Sequence, residues 1–487
     1  MMQSYLNNAN IIAPIAINPH VKPSTLNKQI FNLLQEILPE YLHDENAKDT
    51  LQPQDLIVNT LTGGLSNHLL TVQIPVVSHP SSTKSKNNQH GTSTKTILLR
   101  LHNEQEAQDT STSSGTSSSI VDRDAENKIS AQLSFHGMAP IYYGRFANGR
   151  VEEFYERFRP LSHKEMSNLK FTRAIAIHLA KLHKLQLRCV ISNPHSAQGE
   201  IWKRIEDWIQ LANDEHAIPT TSENEKQLIQ HMMNEIQEEW AWLKKELGPT
   251  NAKSAYTSAG DNMSKARNVV VAQAVAFCSR VRAIIAISSK LINCIHLLHK
   301  LTTTQHKPTL WYIQVVFTHM DCQSLNILTP ENAPTLLDEG ADNEDEDAIA
   351  NIRLIDFEYA GMNPRAADLA NTFAEFCDMN NLIPDYARQY PTEHEQDVFF
   401  MAYIRENDAA LAKELDGMSK DSRDLFLSTM REMVGKYSLF SHLGWACWAV
   451  VQYSASSIAF DYITYAKVRM EGYRFFKNRH FNGKQPK

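Results

Sequence analysis

The sequence has no Cys-x-x-Cys pair, and its six cysteines (Cys189, Cys278, Cys294, Cys322, Cys377 and Cys447) are scattered over 487 residues. Such spacing speaks against a disulfide framework and for reduced thiols in the cytoplasm. A basic excess is also missing: 48 Lys+Arg stand against 55 Asp+Glu, a formal net charge of -7. Nothing therefore favours general attraction to nucleic acid or insertion into an anionic membrane, and an anionic ligand has to be held by local groups. The N-terminus has no basic region, and its apolar run is broken by Pro14, Asn18 and Pro19, so no targeting segment is read there. Long uninterrupted apolar runs are absent too. The most apolar stretches, 268–299 and 437–465, carry Arg280, Arg282, His442, Gln452 and Asp461, and read as core helices rather than membrane spans.

What remains is ample apolar material, 42% of residues, in a chain long enough for two lobes. Residues 1–50 read as a loose start followed by a helix near 24–43. Residues 51–160 read as a small sheet lobe of five strands and one helix. Its strands fall at DLIVNTLT, HLLTVQIPVV and TILLRLH, with two more over 139–158 joined at Asn148-Gly149, a favourable hairpin dipeptide. Two polar stretches, 78–95 and 103–120, cannot support a core and read as insertions. From 161 to 487 the pattern turns helical, with helices predicted over 171–185, 224–247 and 268–300. An island of β-rich sequence interrupts them, at 311–328 and 352–360. The acidic insertion between, 330–350, lacks the ligand spacing and glycine of a calcium loop and reads as solvated.

The chemistry concentrates in that island. HMDCQSLN (319–326) and LIDFEY (354–359) each follow or close an apolar strand. Phosphoryl transfer needs a carboxylate to orient an acceptor hydroxyl and take its proton, and metal ions to neutralise the phosphates. Asp321, just past a strand, suits the base. Asn326 and Asp356 offer the hard oxygens that Mg²⁺ prefers. Alone, Asp-x-x-x-x-Asn is an ordinary turn spacing.

With His319 upstream and the following IDFE strand, these segments resemble the catalytic and metal-binding segments of the protein-kinase-like superfamily. The surrounding words GGLSN, LLRLH, VDRDAEN, GRVEEF, DLANTFAEF, WACWAVVQ and SSIAFDYITYAKVR are similar to the choline/ethanolamine kinase family across about residues 55–475. The resemblance implies an α+β, two-lobed fold, with a small mainly antiparallel lobe carrying one helix and a larger mostly helical lobe. It implies ATP and Mg²⁺ as cofactors. Gly63, Gly64, Ser66 and Asn67 would approach the ATP phosphates. Arg100 would grip them, held by Glu126 as in the kinase Lys–Glu pair, and Glu152–Phe158 would be the adenine hinge. Asp321 would be the base, Asn326 and Asp356 the metal ligands, and His319 a brace of the loop. Gln323 would position the hydroxyl, and Tyr359, Glu375, Trp445, Trp448 and Tyr465 would receive an ammonium headgroup. The bland alternative for Trp445 and Trp448, three apart on one helical face, is core packing.

Three departures stand out. Met320 occupies the usual Asn position of the family's HND, CDMNNLIPDYARQYP lacks the aromatic that choline kinases place after Glu375, and the acidic insertion lengthens a hairpin. A missing aromatic wall suits a primary amine better than a quaternary one. The sequence is accordingly read as an ethanolamine kinase making phosphoethanolamine, the first step of the CDP-ethanolamine route to phosphatidylethanolamine. Choline or dual activity is the alternative. An aminoglycoside-type or methylthioribose-type phosphotransferase stands further off, and a non-catalytic kinase-fold binding protein is the reading of another class. A homodimer is compatible with all of these.

Overall fold

The computed structural model describes residues 8, 10–42, 51–61, 67–76, 93–102, 121–187, 199–213, 222–247, 311, 314–333, 351–456 and 458–482. Gly63, Gly64, Ser66, the helix expected over 268–300 and most of the three insertions lie outside them.

The N-terminal part is a six-stranded sheet: β1 (Ile12–Ala13), β2 (Ile57–Leu61), β3 (Asn67–Val76), β4 (Ser93–His102), β5 (Tyr142–Phe146) and β6 (Gly149–Glu153), in the order β1-β5-β6-β4-β3-β2. Its pairings are antiparallel apart from β1 with β5. Alternation sets the buried face: Leu70, Val72 and Ile74 on β3 and Ile97, Leu99 and Leu101 on β4 point one way. They meet Ile30, Leu33, Leu34 and Ile37 of α1 (Pro23–Ile37), whose apolar residues recur at helical spacing.

Two expectations are corrected here. The sheet has a sixth strand, because Arg145 N donates to Ile11 O and pairs β1 along the edge; a two-residue strand carries no readable period. Strand β4 begins at Ser93, so Ser93, Thr94 and Lys95 pair with Val76, Pro75 and Ile74 rather than belonging to the polar insertion. Polar residues at a strand end give no apolar alternation to read.

Helix α2 (Arg123–Phe135) starts at Asp122, whose carboxylate accepts from the backbone N–H of Asp124 and Ala125. Its apolar residues Ile129 and Leu133 join the second, larger core. That core is built by α3 (Leu169–Leu182), α4 (Glu200–Ala212), α5 (Glu223–Leu247), α6 (Arg365–Glu375), α7 (Glu393–Asn407), α8 (Lys420–Ala455) and α9 (Tyr462–His480), joined by shorter helical turns. Helix α6 is buried along its whole length, and α8 is buried continuously from Val434 to Gln452. This buried run explains the apolar stretch 437–465; no described helix is long and apolar enough to cross a membrane. Cys322, Cys377 and Cys447 are buried and free.

Two small sheets lie at the edge of this core. One is β7 (Phe158–Pro160), β9 (Ile327–Pro330) and β10 (Arg353–Leu354), in the order β10-β9-β7. The other pairs β8 (Val315–Thr318) with β11 (Gly361–Pro364). HMDCQSLN connects β8 to β9, and LIDFEY runs from β10 toward β11, so the two segments are hung from adjacent strands.

Gly149 is where the first sheet tolerates no side chain. A Cβ there would collide with the Arg100 backbone carbonyl and with the Phe146 ring. Gly149→Ala is expected to destabilise the protein by about 2 kcal/mol, read as a lowered Tm, with a raised KM for nucleotide because Arg100 sits on the displaced strand.

Candidate active site

Strand β8 ends at Thr318, whose hydroxyl donates to the Gly361 carbonyl at 2.8 Å. The chain then turns sharply, with Met320 at φ 65°. Asn adopts this left-handed conformation far more readily than Met, which gives a physical reason for the usual Asn at this position. Met320 is instead buried, its side chain lining a small cavity with Trp208, Tyr359 and Trp445.

The turn is held by Asp368 of α6. His319 N donates to one carboxylate oxygen at 2.9 Å and Met320 N to the other at 2.7 Å. His183 Nε2 donates to the same carboxylate at 2.8 Å, while its Nδ1 accepts from the Tyr403 hydroxyl at 2.6 Å. Asp368 is fully buried, and although burial opposes its charge, His183 above all keeps its carboxyl below the usual range. The His319 ring joins two chain segments: Nε2 donates to the Ile355 carbonyl at 3.0 Å, and Nδ1 accepts from Asp321 N at 3.2 Å. Burial lowers its proton affinity, so it stands as a neutral brace.

Asp321 follows, buried, with Asn326 Nδ2 donating to its carboxylate at 2.8 Å and to its carbonyl at 3.0 Å. Gln323 also hydrogen-bonds its side chain. Burial, and after it the charges of Glu375, Asp356 and Glu358, push the Asp321 carboxyl well above its usual range. Ile355 N donates to the Asn326 carbonyl at 3.0 Å, which brings Asn326 beside Asp356. Asp356 also has a left-handed backbone, φ 64°. One of its carboxylate oxygens receives Arg100 Nη1 at 3.1 Å, and the other is buried without a hydrogen-bond partner among the described residues. Among those residues no group of three or more His, Cys, Asp or Glu side chains could hold a metal ion by itself.

Arg100 is fully buried on β4, and its contacts differ from the expected pairing with Glu126. It bonds Glu152 of β6 at 3.4 Å as well as Asp356, whereas Glu126 takes Arg150 at 2.5 Å and Arg123 at 2.8 Å. The cause is register: Arg100 lies directly opposite Arg150, so two guanidiniums on one sheet share two carboxylates. Arg150 Nε donates to the second oxygen of Glu152 at 2.8 Å. Burial opposes the charge on Arg100, but Asp356 and then Glu152 outweigh it and raise its proton affinity. Asn67 reaches the same quarter, its amide donating to Glu358 at 3.4 Å, and Arg123 bonds Glu358 at 3.2 Å.

The five residues expected to receive the headgroup form one buried cluster. Trp445 stands edge-on to Tyr359 (5.0 Å between centroids) and to Trp448 (5.2 Å), and Trp448 to Tyr465 (6.1 Å). Trp448 Nε1 donates to the Tyr359 hydroxyl, and Trp445 Nε1 to Asn371 on α6, each at 2.8 Å. Glu375, the last residue of α6, is bonded by Arg469 of α9 at 2.6 Å. Tyr386, the first aromatic in CDMNNLIPDYARQYP, donates to the Val468 carbonyl at 2.6 Å and stands against His442.

The structure thus gathers Asp321, Gln323, Asn326, Asp356, Arg100 and Asn67 in one place and Tyr359, Glu375, Trp445, Trp448 and Tyr465 beside it; Glu126 is linked to Arg100 only through the shared network. Sequence reasoning gave no role to Asp368, His183, Tyr403, Arg150, Arg123, Glu358, Trp208 or Arg469, and read Glu152 only as the start of the adenine hinge. Asp368, Glu358, Arg123, Arg150, Glu152 and Arg469 all stood in quoted words, but nothing in those words announces what they hold.

The profile of the choline/ethanolamine kinase family matches residues 58–258 and 251–474. The chain belongs to that family. Its members are phosphotransferases, so this chain is an enzyme of that kind. It is 25% identical to the human choline/ethanolamine kinase over 466 residues, covering 93% of this chain and 87% of that one. With a probable ethanolamine kinase of Dictyostelium discoideum it shares 24% over 469 residues, 95% of each chain. Among solved structures, the choline kinase of Cryptosporidium parvum matches with a TM-score of 0.57 at 19% identity, over 94% of this chain and 96% of that one. The ethanolamine kinase of Plasmodium vivax gives 0.51 at 19%, over 97% and 96%. These structures share the protein-kinase-like fold seen here: a small antiparallel-rich sheet region and a larger helical one.

Two outcomes test the loop geometry. Asp368→Asn removes a charge that holds two backbone N–H groups and His183; it is expected to cost about 3 kcal/mol and to lower kcat more than the KM of either substrate. For Asp321 the sign runs the other way. Its folded-state proton affinity is raised, so its contribution to stability is present at acid pH and lost as pH rises through the folded-state value. Without nucleotide or metal, Asp321→Asn should therefore raise Tm by about 2 °C near neutral pH, with the gain vanishing at acid pH.

Proposed function

We propose that this kinase transfers the γ-phosphoryl group of Mg-ATP to the hydroxyl of ethanolamine, giving phosphoethanolamine and ADP, in preference to choline. The observation that carries the reading is a pair of carboxylates beside one aromatic cluster. Asp321 and Glu375 are close enough that Glu375 is the leading charge acting on Asp321. A short amino alcohol has two ends to satisfy, a hydroxyl that loses a proton and an ammonium that keeps its charge. Asp321 matches the first and Glu375 the second.

Asp321 accepts the hydroxyl proton as the substrate oxygen bonds to the γ-phosphorus and the bond to the β-phosphate oxygen breaks. The Asn326 amide holds the carboxylate in place from one side, and Gln323 from another. Because Asn326 spends its N–H groups on Asp321, its amide oxygen is free to face a cation. With the Asp356 oxygen that has no partner among the described residues, it would hold Mg²⁺, which prefers such hard oxygens. Bound there, Mg²⁺ supplies positive charge to the phosphates. Arg100, kept charged by Asp356 and Glu152, adds a bidentate donor for the same phosphates.

The preference for a primary amine rests on what surrounds Glu375. A primary ammonium has three N–H donors and gains from acceptors such as the Glu375 carboxylate; a quaternary one has none and depends on open π faces. Here the rings stand edge to face, with Trp448 Nε1 bonded to the Tyr359 hydroxyl and Trp445 Nε1 to Asn371, and Tyr386 spends its hydroxyl on the Val468 carbonyl. The relatives' names divide between choline, ethanolamine and both, and do not favour one. The reading places the enzyme at the first step of the CDP-ethanolamine route, with no nucleic-acid partner.

Side-by-side kcat/KM values for ethanolamine, its mono- and dimethyl forms and choline test the preference. They are expected to fall with each methyl, by about tenfold overall; equal or higher values for choline would overturn it. Asp321→Asn should abolish turnover while ATP binding survives, and Glu375→Gln should raise the ethanolamine KM by about tenfold with kcat largely kept.

A further inference from the structure

The carboxylate assigned to the substrate ammonium already has a cation of its own. Arg469, on α9, is 1% exposed and donates from Nη2 to Glu375 at 2.6 Å. Its Nε and Nη2 both donate to the Tyr465 hydroxyl, at 2.9 and 2.5 Å. The guanidinium carbon lies 4.9 Å from the Tyr465 ring centroid and 5.9 Å from that of Trp445. Arg469 is therefore held by the same carboxylate and rings that would receive a substrate headgroup. Its Nη1 is buried with no hydrogen-bond partner among the described residues.

A buried ion pair contributes little stability over apolar packing, and a buried donor left unpaired is a cost that cores usually avoid. A purely architectural side chain at this position would be better replaced by an apolar one. The arrangement does make sense for orientation. Glu375 is one of three carboxylates, with Asp356 and Glu358, whose charges act on Asp321. Among the described residues Arg469 is the cation within ion-pair distance of Glu375. Burial works against the guanidinium charge, but Glu375, then Tyr465, outweighs it, so Arg469 is permanently charged. The ion pair occupies one Glu375 oxygen, and no other hydrogen bond from a described residue reaches that carboxylate.

Building on the amino-alcohol reading above, we propose that Arg469 is a positioning residue of the headgroup site: it clamps Glu375 and Tyr465 in one arrangement and leaves the second Glu375 oxygen for the substrate ammonium. It touches neither the transferred phosphoryl group nor Asp321, so its influence falls on amino-alcohol affinity. It also lends the cluster a built-in positive charge, so the pocket holds an ammonium with half of a carboxylate rather than the whole, which favours release of the phosphorylated product.

The test varies ethanolamine and ATP separately in wild type, Arg469→Ala and Arg469→Lys, with methylguanidinium as a soluble replacement for the lost group. Arg469→Ala is expected to raise the ethanolamine KM by about tenfold or more and to leave the ATP KM unchanged. Methylguanidinium should bring the ethanolamine KM back toward wild type in that variant and not in wild type. Arg469→Lys keeps the charge but not the planar fork, so its ethanolamine KM should fall between the other two. If Arg469→Ala does not fold, as judged by loss of ATP-induced thermal stabilisation, the lysine variant decides by the same KM split. A variant that folds with an unchanged ethanolamine KM, or with both KM values raised in parallel, overturns the proposal. The substrate reading fails separately: if wild type prefers another amino alcohol, the same ratios are read with that one.

Discussion

One fully buried carboxylate, Asp368, determines where the chemistry can happen. It receives two consecutive backbone N–H groups at the end of β8 and a histidine from α3 that is itself bonded to a tyrosine of α7. A turn with a left-handed methionine is costly by itself, and Asp368 is what compensates. Three helical segments thereby converge on two peptide groups, and Asp321, the next residue, inherits its position from them. The expense of burying Asp368 is met entirely by hydrogen bonds, as a charge in a core requires.

The second constraint is the join between the sheet and the helical region. Arg100 reaches Asp356, while Arg123 and Asn67 reach Glu358, so three sheet-side residues grip the IDFE segment. Behind them, Arg150, Glu152 and Glu126 carry alternating charge across β6 and α2. Such a network is sensitive to the loss of any member, since each charge left behind would be buried without its partner. The Arg100 side of the site and the Asp356 side are therefore one electrostatic unit, even though they belong to opposite halves of the sequence.

Much of this was legible in advance. The strands of the sheet announced themselves by alternation and by Asn148-Gly149, and the catalytic segments by a carboxylate and an amide placed just past apolar strands. The family resemblance then named five residues that the fold brings into one cluster, Tyr359, Glu375, Trp445, Trp448 and Tyr465. What escaped had physical reasons. Arg100 was paired with Glu126 by analogy, but cross-strand register gives it Glu152, and register is not visible in a single strand. Asp368, His183 and Tyr403 lie on three separate helices, and each looks like an ordinary polar residue in a helical pattern; only packing reveals that they meet. Arg469 reads as one more basic residue on an amphipathic helix. The edge strand β1 is too short to carry any period.

Helix α6 links the two ends of the site in a way that neither end shows alone. Asp368, near its start, anchors the turn that carries Asp321; Glu375, its last residue, is the carboxylate proposed to meet the headgroup. They are seven positions apart, nearly two full turns, on the same face and about 10 Å along the axis. The helix is buried from end to end and cannot stretch or tilt without disturbing both cores. In the proposed reading it works as a ruler: the spacing between the Asp321 loop and the Glu375 carboxylate is written in a count of backbone residues. An insertion or deletion of one residue in α6 would turn Glu375 about 100° away from the face that Asp368 shares, so the two ends of the site are locked together in angle as well as in distance.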